Sequence, residues 1–511
     1  MKKIFLFLIT LPLLVMPLEA KPPQADLEKL DAWYQQVLQD WDLPAMSIGI
    51  VKDGKLIFSK GYGVLEQGHD QPANAATLYS IASNSKAFTS AVIAMLVQEG
   101  KLSWDDKVKD LLPYFEVYDP WVSTQVTIRD LLSHRVGLGT FSGDVIWYKS
   151  DLTGEEIVRR IRHLPPAYDF RAGYGYSNLM YITAGEVIRT VTGKSWEENV
   201  QERILAPLGM DRSIVKLSDL EAKGNFATPH ARHQQQNIPI EWVDWENVAA
   251  TGGLITSVED MAQWMIFNMN QGIHEDDTLL TAQSRNTLWN VHNSYMVSRT
   301  RDNDFNRHFN GYGLGWGLSD YHGRLSVGHT GGYDGMISEV RLLPEENLGV
   351  VVLTNGVMSP IGAITNYTLE TFLGIEPRDW SQQMLPRALR NQQENARITA
   401  IRDARQEGTQ PTKAVEAYAG TYHSDIYGNI YVTQEGNQLR LSFEHSPTLT
   451  ASLKHWHHDV WEIQWDDTQA WFGFGTLQFN LNNKLNITGM DFDVPNNDIF
   501  FHELNPVKVN Q

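Results

Sequence analysis

Tyr79-Ser80-Ile81-Ala82-Ser83-Asn84-Ser85-Lys86 leads into Ala87-Phe88-Thr89-Ser90-Ala91-Val92-Ile93-Ala94-Met95-Leu96-Val97. From Ser83 onward small and apolar residues recur at helical spacing, while Tyr79-Ser80-Ile81 reads as the end of an extended segment entering a turn. Ser83 therefore falls at or near a helix N-terminus. Lys86 lies one turn on and on the same face, so its amine can reach over the Ser83 hydroxyl. A serine hydroxyl is a weak nucleophile until a base takes its proton, and a lysine serves when burial or nearby positive charge lowers its pKa. Orphan amides at the helix start add a means of holding an oxyanion. On these residues alone, a capping serine beside a solvated lysine explains the pattern more simply. Two further segments change that reading.

Upstream, Leu27, Leu30, Tyr34, Val37 and Leu38 mark a helix over residues 25–41. Met46-Ser47-Ile48-Gly49-Ile50-Val51 and Lys55-Leu56-Ile57-Phe58 then flank Asp53-Gly54, a two-strand hairpin signal. Helix, hairpin and the Ser83 helix indicate α+β structure with antiparallel pairing, unlike the βαβ alternation of a doubly wound sheet. Downstream, residues 101–215 read mostly helical. Within them Val126 to His134 forms a short amphipathic helix capped near Thr127 and running into Arg135-Val136-Gly137-Leu138. His134, at a helix end beside a glycine turn, reads as structural in preference to catalytic.

The second segment is Arg171-Ala172-Gly173-Tyr174-Gly175-Tyr176-Ser177-Asn178-Leu179-Met180-Tyr181, with a helical pattern from Leu179 onward. Tyr176 and Asn178 thus project from a loop entering a helix. A phenol there can move a proton when a nearby cation lowers its pKa, and an amide can orient a substrate carbonyl. A buried aromatic and a helix cap remain the alternative. Farther on, Gly252-Gly253 forms a turn before a helix capped by Ser257 with Asp260, read as structural near the cleft. The third segment is Leu325-Ser326-Val327-Gly328-His329-Thr330-Gly331-Gly332-Tyr333, followed by strand-like runs at 337–343 and 348–355 around a Pro-Glu-Glu-Asn turn. His329-Thr330-Gly331 therefore belongs to a sheet strand. The glycines at 331 and 332 allow close approach of a substrate to the backbone, where a free N–H is an oxyanion donor.

In this order and spacing the three segments resemble the serine β-lactamase and penicillin-binding protein superfamily. Its signature is Ser-x-x-Lys, Tyr-x-Asn, then Lys-Thr-Gly or His-x-Gly. The class C β-lactamase-like hydrolases are the branch most similar, over about residues 25–375. The resemblance implies an antiparallel sheet flanked by helices, with a helical subdomain. It also implies Ser83 as acylated nucleophile, Lys86 as its base or base partner, and Tyr176 as the proton relay to the leaving group and then from water. Asn178 would hold a substrate amide. His329, Thr330, Gly331 and Gly332 would line the substrate strand, with the N–H groups of Ser83 and Gly332 as oxyanion hole. No metal or cofactor is implied. At 329 the family usually carries lysine. A histidine titrating near neutrality puts the anchoring of a β-lactam or D-Ala-D-Ala carboxylate in doubt and favours esters or peptides without that requirement.

Residues 376–413 turn polar and charged and read as surface helix and linker. From 414 to 511 short alternating strands recur, among them Ile430-Tyr431-Val432-Thr433, Leu439-Arg440-Leu441-Ser442-Phe443, Leu477-Gln478-Phe479-Asn480 and Ile487-Thr488-Gly489-Met490. Such spacing indicates a small all-β barrel or sandwich, and it resembles the lipocalin-like domain that often follows these hydrolases. Trp461, Trp465, Trp471 and Phe472 are expected to fill it, and the domain to cap the cleft. His455-Trp456-His457-His458-Asp459 reads as a solvated loop in preference to a metal site, since no other spaced ligands accompany it.

Lys2 and Lys3, an apolar run from Ile4 to Leu18 and Glu19-Ala20 form a secretory signal peptide with cleavage near Ala20, favoured over a retained membrane anchor. Residues 21–375 then form the hydrolase domain, and a periplasmic or secreted location follows. Losing two lysines and one glutamate takes the net charge from −19 to −20. That balance repels phosphate backbones and argues against nucleic acid as partner. With no cysteine, thiol catalysis, disulfides and Cys-ligated metal are excluded. The expected partner is a small-molecule or peptide substrate, and association with the cell wall is compatible with export; oligomeric state is left open. The leading function is an exported serine hydrolase: esterase, D-amino-acid peptidase or weak β-lactamase. The alternative is a penicillin-binding sensor or scaffold that acylates with little turnover. A lipocalin-type carrier with a dead hydrolase is disfavoured, because every acting side chain is present.

Overall fold

A computed structural model describes residues 25–297, 305, 307–391 and 395–509, so the expected signal peptide lies outside the described residues. Helix α1 (Leu27–Asp40) starts where the Asp26 carboxylate accepts the N–H groups of Glu28 and Lys29, and it buries Leu30, Tyr34, Val37 and Leu38. Strands β1 (Ala45–Lys52) and β2 (Lys55–Gly63) form the expected hairpin. Asp53 and Gly54 both take positive φ, 51° and 73°, as the twist of a two-residue hairpin requires.

Helices α2 (Ser85–Gln98), α3 (Asn178–Thr192) and α4 (Val258–Met269) follow. Then come β3 (Asn293–Ser294), β4 (Asn310–Tyr312), β5 (Gly317–Tyr321), β6 (Arg324–Tyr333), β7 (Met336–Leu343), β8 (Leu348–Thr354) and α5 (Ile361–Phe372). The sheet order is β2-β1-β8-β7-β6-β5-β4-β3. Pairing of Ile48 with Val352 joins the first hairpin to the last strand, so the helical stretch between them is an insertion into one sheet. Tyr34 of α1 and Ile364 of α5 pack with Ile48, Val350 and Val352 on one face. Phe88 of α2, stacked on Trp264 of α4 at 4.0 Å, packs with Val51 and Val351 on the other. Ser83 is thereby held where the helical layer meets the sheet edge.

The helix after Thr127 is shorter than expected, Ile128–Leu132, with Thr127 and Asp130 exchanging hydrogen bonds as a capping box. Asp130 is buried between Arg135 and Arg171, each at 2.6 Å, and the helix ends at Leu132 with Ser133 as its cap. His134 sits in the left-handed region at φ 56°.

Two helices, Trp380–Asn391 and Ala396–Asp403, lead to a closed barrel of eight strands between Gly420 and Lys508. Tyr422, Val432, Leu441, Leu453 and Phe479 are among the residues buried in its core. Trp461 and Phe472 are buried there as expected, but Trp471 is not: it turns outward to line a cavity in the hydrolase domain. The His455–Asp459 stretch is a hairpin that fastens the linker. His457 Nδ1 accepts the N–H of Gln406, and Asp459 accepts that of Thr412.

Candidate active site

Ser83 lies in a 3-10 turn, Ala82–Asn84, immediately before α2. Ala82 is forced to φ 44°, a conformation that L residues rarely adopt and that sharp turns at reacting groups often carry. The turn is fastened to the sheet through Ser338, which accepts from Asn84 Nδ2 and donates to the Ile81 carbonyl, both at 2.9 Å. Strand β6 passes so close that a Cβ on Gly331 would stand 2.0 Å from the Ile81 oxygen. Only glycine permits that approach, which brings Thr330, Gly331 and Gly332 beside Ser83.

Lys86 Nζ is 3.0 Å from Ser83 Oγ, 2.7 Å from Asn178 Oδ1 and 2.8 Å from the Thr251 carbonyl. A neutral amine has two N–H donors and one lone pair. In that form two acceptors that cannot donate, Asn178 Oδ1 and Thr251 O, would take the donors and leave the lone pair for the serine hydroxyl. Burial drives the Lys86 pKa well below that of a free lysine, with the Asp144 carboxylate working against the shift. The same three oxygens can accept from the three N–H groups of the ammonium, so it is burial that tips Lys86 toward the neutral base.

Asn178 has a second part in this geometry. Its carbonyl also accepts from Thr251 Oγ1 at 2.9 Å, and its amide nitrogen donates to Asp144 Oδ2 at 2.7 Å. Its oxygen is committed inside the protein and orients Lys86, while the amide nitrogen, which gives one of its two N–H groups to Asp144, still faces the cavity. Asp144 is buried, also accepts from Trp147 Nε1, and is pushed up to about 8 by burial.

The Tyr176 ring centroid is 4.9 Å from Lys86 Nζ. Its loop is clamped by His134, whose carbonyl accepts from the Gly175 N–H and whose Nδ1 accepts from the Ser177 N–H, both at 3.1 Å. His134 is thus the structural residue expected. The phenol is buried and faces Ser83 without a well-formed hydrogen bond. Burial raises its pKa well above the ordinary value, and the Ser83 contact offsets this in part. The expectation of a phenol made more acidic by a neighbouring cation is therefore corrected: burial dominates and raises its pKa.

His329 Nδ1 lies 2.6 Å from the Thr330 carbonyl and Nε2 lies 2.9 Å from the Tyr312 hydroxyl. Burial, with Lys86 nearby, lowers its pKa to about 4. The imidazole does not titrate near neutrality as its ordinary pKa suggests, and no positive charge stands at this position.

These residues line one cavity of about 560 Å³ containing Ser83, Tyr176, Asn178, His329, Thr330 and Gly332. Gly331 forms the close contact behind it. Asp144, Thr251 and Tyr312 were not found from sequence. Thr251 had a faint signal in the Gly252-Gly253 turn that follows it; Asp144 and Tyr312 had none. From the barrel come Trp471, Asp498 and Ile499.

The Beta-lactamase family model matches residues 30–370, and a model described as a domain of unknown function, DUF3471, matches residues 404–507. Unguisins hydrolase ungD' of Aspergillus campestris is 29% identical over 436 residues, spanning 81% of this chain and 79% of the relative. Protein flp of Staphylococcus aureus is 29% identical over 342 residues, 64% of this chain and 63% of its own. Among solved structures, the octameric penicillin-binding protein homologue from Pyrococcus abyssi superposes with a TM-score of 0.62 at 22% identity, covering 94% of this chain and all of that one. That likeness speaks for the fold.

Proposed function

This chain belongs to the β-lactamase family of serine hydrolases, and from that premise we propose that it is exported and cleaves ester or amide bonds through an acyl-enzyme on Ser83. The observation that carries this reading is the cage around Lys86. With both amine donors taken by Asn178 and Thr251, the lone pair meets Ser83 Oγ at 3.0 Å. Ser83 Oγ attacks the carbonyl carbon as Lys86 takes the hydroxyl proton. The N–H groups of Ser83 and Gly332 hold the oxyanion. Tyr176 gives its proton to the departing oxygen or nitrogen and is reprotonated from Lys86. In deacylation a water attacks the ester, its proton passes to the same pair, and Ser83 leaves with a proton restored.

A neutral His329 offers a substrate carboxylate no charge partner, which favours esters or peptides lacking a carboxylate at that place. The charged N-terminus followed by an apolar run supports export. Steady-state hydrolysis of p-nitrophenyl esters tests the reading. Continuous turnover that is lost in Ser83→Ala is expected. A single burst followed by arrest would instead make the protein an acylating sensor.

A further inference from the structure

The hydrogen bond between Tyr312 and His329 can run in only one direction. His329 Nδ1 faces the Thr330 carbonyl at 2.6 Å, and a carbonyl only accepts, so Nδ1 carries the ring proton. Burial keeps the imidazole neutral, with its pKa lowered to about 4, so Nε2 has a lone pair and no hydrogen. The Tyr312 hydroxyl, 2.9 Å from Nε2, must therefore be the donor. Tyr181 lies beside the same hydroxyl, but it gives its own proton to the Leu132 carbonyl at 2.8 Å and brings a second acceptor. With its proton committed, the Tyr312 oxygen can only accept from anything else that meets it.

Packing fixes that oxygen in place. Tyr312 is 3% exposed, and its ring lies 4.7 Å from that of His134 and 6.0 Å from that of Tyr174. In the sheet it pairs with Gly317 of β5, which pairs with Gly328 of β6, so two residues without side chains separate it from the strand of His329. Tyr312 and His329 both line the cavity that holds Ser83. Tyr176, which gives its proton to the departing atom in the proposed reaction, has its ring 6.4 Å from that of Tyr312 and 6.0 Å from that of His329. Beside the departing group, the wall at Tyr312 thus presents lone pairs in place of a cation or a donor. A buried oxygen that meets no donor is unfavourable, and one that meets a carboxylate more so.

We propose that Tyr312 sets specificity on the leaving-group side: its oxygen accepts a hydrogen bond from an N–H or O–H of the departing alcohol or amine, so that preferred substrates carry such a donor close to the scissile bond. Esters of diols, and peptides whose chain continues as an amide beyond the cleaved bond, meet this requirement. A leaving group that ends there in a carboxylate does not. This rests on the Ser83 acyl-enzyme reading and names its substrate class.

The test uses the full-length protein and butyryl esters that differ only in the leaving group, so that changes in overall activity cancel in each ratio. We would measure kcat/KM, by titration of the released acid, for the 2-hydroxyethyl against the 2-methoxyethyl ester and for the glycolamide against the N,N-dimethylglycolamide ester, in wild type and Tyr312→Phe. Wild type should favour the donor-bearing member of at least one pair by about tenfold, the worth of one hydrogen bond. Tyr312→Phe keeps the ring and removes the oxygen, and should bring that ratio to about one. Ratios near one for both pairs in wild type, or a preference that Tyr312→Phe retains in full, would overturn the donor subsite while Ser83-dependent ester hydrolysis persists. Should Tyr312→Phe fail to fold, the wild-type ratios decide. Loss of all Ser83-dependent turnover of p-nitrophenyl esters in wild type would instead overturn the underlying reading and this one with it.

Discussion

At the scale of single residues the site turns on how many donors a lysine has. Lys86 meets two pure acceptors and one hydroxyl, and burial depresses its pKa. The base is active when neutral, and it is neutral above its pKa, so kcat/KM should rise with pH through the lowered Lys86 value and then level off. Tyr176, raised well above its ordinary value, keeps its proton across that range. Lys86→Ala should lower kcat/KM by about 10²- to 10⁴-fold, the usual range for a general base, and abolish that rise. An unchanged pH–rate profile in the variant would count against the assignment. Asp144 favours protonated Lys86, so Asp144→Asn should move the rise to lower pH, read from the same profile. Ser83, Lys86 and Tyr176 were legible because local spacing carries them. The commitment of Asn178 was not, since its partners Asp144 and Thr251 lie 34 and 73 residues away in sequence. Nor was the low pKa of His329, which depends on burial that no local pattern reveals.

At the scale of elements, the nucleophile is placed by contact between a turn and a strand. A Cβ on Gly331 would stand 2.0 Å from the Ile81 oxygen and 2.5 Å from Ser338 Oγ. Gly331→Ala should therefore cost about 1–3 kcal/mol of stability, the usual toll of overpacking, and lower activity more than it lowers the denaturation midpoint suggests. Denaturant unfolding and ester hydrolysis on the same sample check both. Thr127→Ala removes one half of a buried capping box and should cost about 1 kcal/mol by the same unfolding measurement, with the shape of the pH–rate profile retained. The Asp53-Gly54 hairpin, the Ser257 cap and the strand pair after His329 were readable, because capping and turn residues act on their near neighbours. The end of the Thr127 helix was misplaced, since His134 turns into the left-handed region at φ 56°, which the local apolar pattern does not mark.

At the scale of the molecule, three segments far apart in the chain meet because β1 pairs with β8 and the helical insertion folds back over that sheet. The α+β class and the C-terminal barrel were legible from strand and helix periodicity. The way the barrel adds Trp471, Asp498 and Ile499 to the cavity was not, because periodicity tells inward from outward only within a strand, and these residues lie in loops. Trp471 stands over Gly332. Trp471→Ala should widen the cavity and raise kcat/KM for bulky acyl esters relative to acetyl esters, as measured on a p-nitrophenyl ester series. The central claim is that these distant segments converge to activate one hydroxyl. Treatment with a fluorophosphonate followed by peptide mass mapping tests it most directly. The account predicts a single adduct on Ser83, formed much more slowly in Lys86→Ala at neutral pH; an unmodified Ser83, or labelling at the same rate without Lys86, would contradict it.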